Sequence, residues 1–522
     1  MRRFMRLVVP SVLALGLATW AFPAGATHVP DQSNKMSELF TSPNGRTNSD
    51  FAFWGDHAFS GYYSGSDATP DGGVRIFDIS DPAAPALVKD FKCDGLQADP
   101  IVWDRDGNGV ADLLLLAVDR TMAAPECGAP RTAHDDPLGW EGVRVFEMSD
   151  DPANPFASIQ QVKAVYTDCG AHTITAWPKD DGSGLLVYVS SYPLRPGPTC
   201  GDTEFANLAN PYDEDPGSPA NPLHGVIQIV DVPFGNPAAA NELDVQPEIS
   251  YPGDPDGRID WCERNLCAPG VLEPAAVACH DIVVHLEHRI AGAACAEQGQ
   301  VWEIDENGIP DTENPISIVD DEVTSGGTGQ LPGTVDFFHS VMFDNEGEVA
   351  NWVDESFGSG CPTMTTYQAR PWNPTGGTHK TGRIFFSDVG TSAFLSEFHV
   401  GDVRPDPGAT EYCSAHMGLS VTGIGRDLLV NAWYTGGVNV IDFTNPTRLK
   451  EIAFYDPQQD SGTWSAYAYT GPMFKTGPGI PVYASDGVEN NAIAEGMVVY
   501  RTIIQKPGKA HLVDHLNPQT ME

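Results

Sequence analysis

One figure, repeated seven times, limits what this chain can fold into. Gly436 opens GGVNVIDFTNPTRLKEIAFYDP: two glycines, a short apolar β-branched run ending in Asp, an Asn-Pro turn, then a second extended run. The same figure returns as GGVRIFDISDPAAPALVKDF from Gly72, EGVRVFEMSDDPANP from Glu141, HGVIQIVDVPFGNPA from His224, GQVWEIDENGIPD from Gly299, GRIFFSDVGTSAFLSEF from Gly382 and EGMVVYR from Glu495. Successive copies begin 54 to 83 residues apart, a core unit of about 50 residues carrying insertions. Two more strand-like runs precede most copies, as His416 to Ile424 and Leu428 to Tyr434 precede the sixth. Each unit is therefore a four-stranded antiparallel sheet, and the expected fold is all-β, a seven-bladed β-propeller in which radial packing leaves only short, protected edges.

The copies at Gly72 and Gly436 resemble LVIVD repeats, and the resemblance spans roughly Asn48 to Ile503. It implies a propeller of the kind common in secreted bacterial and archaeal proteins. It implies little about chemistry, because a fold does not fix a function. The expected division is a signal peptide at 1–26, an N-terminal strap at 27–47 that supplies an outer strand, the propeller at 48–503, and a tail at 504–522 laid on the surface.

Arg2, Arg3 and Arg6 precede an apolar run to Phe22, and Ala24-Gly25-Ala26 fits a signal-peptidase site. The run is interrupted by Pro10 and is too short to span a bilayer. The expectation is a secreted, extracellular protein without a membrane span. Net charge is −42, and loss of the three leader arginines leaves −45. Such a surface repels nucleic acid, attracts cations, and leaves the partner an unidentified extracellular ligand or protein.

Ten cysteines, all beyond the leader, imply disulfides. Cys93, Cys169, Cys279 and Cys413 fall where one blade's outer strand hands over to the next inner strand. Cys127, Cys200, Cys295 and Cys361 fall between second and third strands. Both connections lie on one face of the ring. The expected pairs are Cys93–Cys127, Cys169–Cys200, Cys279–Cys295, Cys361–Cys413 and a local Cys262–Cys267 clip.

Aligned inner-strand starts read Ala-His172-Thr, Cys-His280-Asp, Phe-His339-Ser and Ala-His416-Met, with Trp464 in that slot in the last unit. Four imidazoles in one register slot converge at the mouth of a central channel, a donor set suited to Zn, Cu or Fe; the alternative is a hydrogen-bonded polar channel. Second strands return to the same mouth and offer Asp354, Glu355, Arg120 and Tyr434. Glu355 is a candidate fifth ligand, and either acid is a candidate base or second-sphere partner. Arg120 and Tyr434 are candidates for holding an anionic substrate group. Asp281, next to His280, belongs on the other face of its strand, and His285 and His288 are structural.

A second metal pattern is Asp104, Asp106, Asn108 and Asp112 in DRDGNGVAD, spaced like a short calcium loop or a glycine-rich turn. Weaker versions start at Asp254 and Asp305. There is no nucleophile elbow, phosphate loop, helical His-Glu-x-x-His or dinucleotide fingerprint. Two functional classes stay open: an extracellular binding protein with a metal-lined channel, or a histidine-ligated oxidoreductase, with a hydrolase using Glu355 as base behind them.

Overall fold

The computed structural model describes residues 31–42, 47–63, 72–93, 95, 98–129, 140–167, 170–190, 226–249, 279–295, 298–321, 330–356, 358–367, 377–405, 413–422, 424–457, 462–471, 479–486, 496–504 and 513–522. The leader, Cys169, Cys200, Cys262, Cys267 and the Asp254 motif lie outside them, as does the side chain of Arg120.

The chain is all-β, built from antiparallel meanders of four strands, several extended by a short fifth. The first runs Thr47–Trp54, His57–Tyr63, Gly73–Asp78, Ala86–Lys92 in hydrogen-bonded order. In each four-stranded meander the repeated figure supplies the third strand: Trp140–Met148, Gln228–Pro233, Gln298–Glu303, Ile384–Asp388, Gly437–Asp442 and Gly496–Thr502 follow the same pattern, and a separate two-stranded sheet pairs Met364–Tyr367 with Gly377–Lys380. The last two meanders merge through a single parallel pair, Met417 with Ser465.

The repeated glycine has a steric cause. A Cβ on Gly73 would lie 2.1 Å from the Phe91 carbonyl oxygen, and one on Gly437 2.2 Å from that of Tyr455. Fourth strand and third strand cross so closely there that no side chain fits, and both glycines take positive φ.

First strands lie against first strands. Thr47–Trp54, Pro100–Trp103, Thr173–Pro178, Asp281–His285, Phe338–Phe343, Ala415–Ser420 and Thr463–Ala468 each neighbour the next, and the last neighbours the first. Apolar side chains alternate along the strands and fill the spaces between sheets. Trp352 and Trp433 are fully buried, their Nε1–H groups donating to Ser387 Oγ and Asn439 Oδ1, each at 2.9 Å.

The N-terminal strap does supply an outer strand. Met36–Ser42 pairs antiparallel with Gly496–Thr502, so the last sheet draws its fourth strand from the opposite end of the chain.

The C-terminal tail departs from expectation. Its first residues are half-buried or exposed, but Asn517, Gln519, Thr520 and Met521 are buried. The Asn517 amide exchanges two 3.0 Å bonds with the backbone of Val102. Thr520 Oγ1 donates to the Ala176 carbonyl at 2.8 Å, and Thr520–Met521 pairs in parallel with Asp281–His285. Tyr469 donates to the Asp514 carbonyl. The tail thus bonds to the inner strands of three sheets, at Val102, at Ala176 and along Asp281–His285.

Cys93–Cys127, Cys279–Cys295 and Cys361–Cys413, three of the five expected pairs, lie at disulfide distance. No helix among the described residues is long and apolar enough to cross a membrane.

Candidate metal centre

His172 and His280 stand one residue before their inner strands; His339 and His416 are second residues of theirs. The strand register shifts at His339, at His416 and at Trp464. A bulge at that point turns the side chain out of the sheet's alternation and toward the neighbouring sheet.

The result is a row of rings. Centroids lie 4.3 Å apart for His172 and His280, 3.9 Å for His280 and His339, 4.1 Å for His339 and His416, and 4.5 Å for His416 and Trp464. All four histidines are buried. His280 Nδ1 is 2.9 Å from the His339 carbonyl oxygen, and His416 Nδ1 is 2.5 Å from that of Trp464. A carbonyl only accepts, so each Nδ1 carries the hydrogen, and each Nε2 keeps a lone pair. His172 Nε2 lies 2.8 Å from His280 Nε2. Two bare lone pairs at that distance repel, so the pair shares either a proton or a cation.

Glu355 follows Val349–Asp354, and its amide donates to the Phe337 carbonyl. Its Oε2 is 3.6 Å from His339 Nε2, and its Oε1 is 3.9 Å from His416 Nε2. Both spans are too long for a hydrogen bond. They approximate the roughly 3.4 Å between two ligands on one ion with bonds of about 2.0–2.2 Å. The ligand atoms of His280, His339 and Glu355 all lie within 4.8 Å of one another. These three could hold a metal ion; His172 and His416 flank them.

Burial pushes the His280 and His339 imidazoles well below their usual range, and neighbouring imidazoles add to this. Burial takes His416 down to about 3, against the opposing effect of its bond to the Trp464 carbonyl. Burial raises Glu355 to about 7, opposed by a 2.6 Å hydrogen bond donated by Tyr434 Oη. Neutral imidazoles and a carboxyl that gains from a neighbouring cation make a donor set prepared for metal. The buried Nδ1 of His339 has no hydrogen-bond partner.

Asp354 has another task. Its Oδ1 accepts from the amides of Asp336 and Phe337, and its Oδ2 from Gly382, so it ties the strand end together. Tyr434 orients Glu355. The DRDGNGVAD loop lies in the expected hairpin. Asp104 accepts from the amides of Gly107 and Gly109, Asp106 from Asn108, and Asp112 pairs with Arg105 Nε at 2.7 Å. Those oxygens shape the turn.

Sequence reasoning missed Asp50, Asp99 and Gln519. Asp50 and Asp99 join His280, His339, His416 and Trp464 in lining a cavity of about 10 Å³, room for one water or ion. Burial raises Asp50 to about 6 and holds Asp99 well above the usual carboxylate range. Carrying the alignment of inner-strand starts into the first two units, through NSDF and ADPI, would have found both acids.

No family model and no curated protein matches the chain. Among solved structures it is similar to Raptor from Chaetomium thermophilum, with TM-score 0.44 and 10% identity over 92% of this chain and 30% of that one. It is also similar to the Dos1 propeller, with TM-score 0.42 and 11% identity over 91% of this chain and 84% of that one.

Proposed function

We propose that the chain is an exported seven-bladed propeller that binds a transition metal at the mouth of its axial channel and acts outside the cell as a metal-dependent binding protein. Support for the blade count comes from the cyclic order of first strands and the outer strand drawn from Met36–Ser42. Support for export comes from the leader and from cysteines at disulfide distance. The observation that carries the metal reading is the grouping of His280, His339 and Glu355, with Nε2 of His280 left as a lone pair by its backbone bond. The donor set of two nitrogens and one oxygen fits Zn, Cu or Fe. His172 and His416 stand next to it as further nitrogen donors.

A second reading, a histidine-ligated oxidoreductase, draws support from Tyr434. Its phenol is bonded directly to the candidate ligand Glu355, and a redox-capable side chain there has more to do than hold a structural ion. Metal analysis of protein purified without chelator tests both readings. One equivalent of metal, lost in His280→Ala/His339→Ala with the fold retained, supports the centre; no bound metal sinks it. Copper or iron whose visible spectrum changes on reduction favours the second reading, and zinc the first.

A further inference from the structure

The Cys93–Cys127 bridge has an arginine against one of its sulfurs. Cys93 follows Ala86–Lys92, the outer strand of the first sheet, and Cys127 follows Leu113–Ala123, the second strand of the next. Arg144, on the third strand Trp140–Met148 of that second sheet, directs its Nη1–H at Cys93 Sγ from 3.0 Å. Cys93 is 0% exposed and Arg144 1%, and the Trp140 ring backs the guanidinium at 5.4 Å. Among the described residues no lysine or arginine is bonded to a sulfur of Cys279–Cys295 or Cys361–Cys413.

The two sulfurs differ in access. Cys93 is sealed, whereas Cys127 is half-buried in a turn whose Glu126, Gly128 and Ala129 are exposed. An incoming thiolate therefore meets Cys127 Sγ, and the sulfur released is that of Cys93, beside the cation. A positive neighbour makes a thiol more acidic, and exchange runs faster when the departing thiol is the more acidic one. The turn also keeps its place without the bridge. Arg144 Nη2 donates to the Ala124 carbonyl at 2.6 Å, Gln161 Nε2 to the Pro125 carbonyl at 2.7 Å, and the Cys127 amide to Gln161 Oε1 at 3.1 Å. None of these bonds involves sulfur, so they hold Cys127 beside Cys93 for reclosure.

We infer that Cys93–Cys127 is a reversible thiol–disulfide exchange site for a small thiol, with Arg144 stabilising the departing Cys93 thiolate. The external thiolate attacks Cys127 Sγ and forms a mixed disulfide there, and the electron pair of the broken S–S bond leaves on Cys93. A second external thiolate attacks the outer sulfur of the mixed disulfide, and Cys127 leaves as a thiolate that takes up a proton. Two external thiols become one disulfide while the protein's disulfide becomes two thiols. The site uses neither the histidine centre nor its metal.

The test exposes the purified protein to reduced glutathione, quenches in acid, and maps the cysteines by mass spectrometry after unfolding and alkylation at low pH. In the native protein Cys93–Cys127 opens before Cys361–Cys413, whose Cys361 is also half-buried, and glutathione is found on Cys127 and not on Cys93. Arg144→Met slows this opening about fivefold or more, and Arg144→Lys, which keeps the charge, retains most of the rate. Equal or earlier opening of Cys361–Cys413, or glutathione on Cys93, overturns the inference in the native protein alone, whether or not the variants fold. An unchanged or faster rate in Arg144→Met overturns it too, because an arginine that only braced the loop would loosen it on removal and speed the opening.

Discussion

His280 donates its Nδ1–H to the carbonyl of His339, one sheet further on, at 2.9 Å. His416 repeats the bond to Trp464, which occupies the same register slot in the last sheet. Thr173, beside His172, likewise donates to the His280 carbonyl at 3.0 Å. The backbone of the next sheet therefore orients His280 and His416 through groups that do not titrate, and leaves their Nε2 atoms as the nitrogens open to other partners. Orientation of this kind gives imidazole its value as a ligand, because a fixed ring meets the ion without an entropy cost.

Tyr434→Phe should weaken transition-metal binding about tenfold while leaving the fold intact. The hydroxyl holds Glu355 by a 2.6 Å bond, and loss of an outer partner costs a metal site about 10–100-fold in affinity. Competition with a chromophoric chelator measures this. Glu355→Gln should cost more, since it removes the ligand charge itself. Equal affinities for wild type and both variants would place the ion elsewhere.

The third strands and the histidine slot were legible because each copy carries its own signal. Gly73 and Gly437 mark a backbone crossing, and the run after each alternates with period two. His172, His280, His339 and His416 fall in one slot, and one slot in repeated sheets becomes one place in space. The tail was not legible. Thr520–Met521 is a two-residue parallel pair, too short for any periodicity, and its partner Asp281–His285 lies far away in sequence. Only the assembled sheets bring together the Val102, Ala176 and Asp281–His285 backbone that these residues meet. Asp354 was misleading for a related reason: it neighbours Glu355 in sequence, but strand alternation sends it to the amides of Asp336 and Gly382.

Asn517→Ala should destabilise the protein by about 2–4 kcal/mol. The substitution removes two hydrogen bonds and strands the amide and carbonyl of Val102 in a dry interior, at about 1–3 kcal/mol for an unsatisfied group. Removal of residues 513–522 should cost considerably more and open the channel from below. Thermal unfolding followed by circular dichroism decides between this and a superficial tail, whose loss would leave Tm unchanged.

Deletion of residues 31–42 should make the protein self-associate more than the intact chain does. It takes Met36–Ser42 from Gly496–Thr502 and leaves that strand's amides and carbonyls as an open edge. Light scattering of the purified variant reads the outcome. A monomer with unchanged Tm would show that the strand contributes nothing to holding the two ends of the chain together.

His399 gives the acid limb of stability an identifiable contributor outside the histidine centre. It precedes the short helix Val400–Val403, and its buried Nδ1 accepts the Gly401 amide at 2.8 Å. Burial lowers its pKa from 6.5 to about 3, with the Arg383 guanidinium adding to the effect. The unfolded chain therefore binds a proton at a pH where the folded chain does not. Stability contributed by neutral His399 is complete above about pH 6.5 and declines as pH falls toward 3, by up to about 1.4 kcal/mol per pH unit. Asn at this position can still cap the helix but does not titrate. His399→Asn should therefore match wild type more closely at pH 4 than at pH 7. Denaturant midpoints measured across that range check the sign, and parallel curves for the two proteins would refute it.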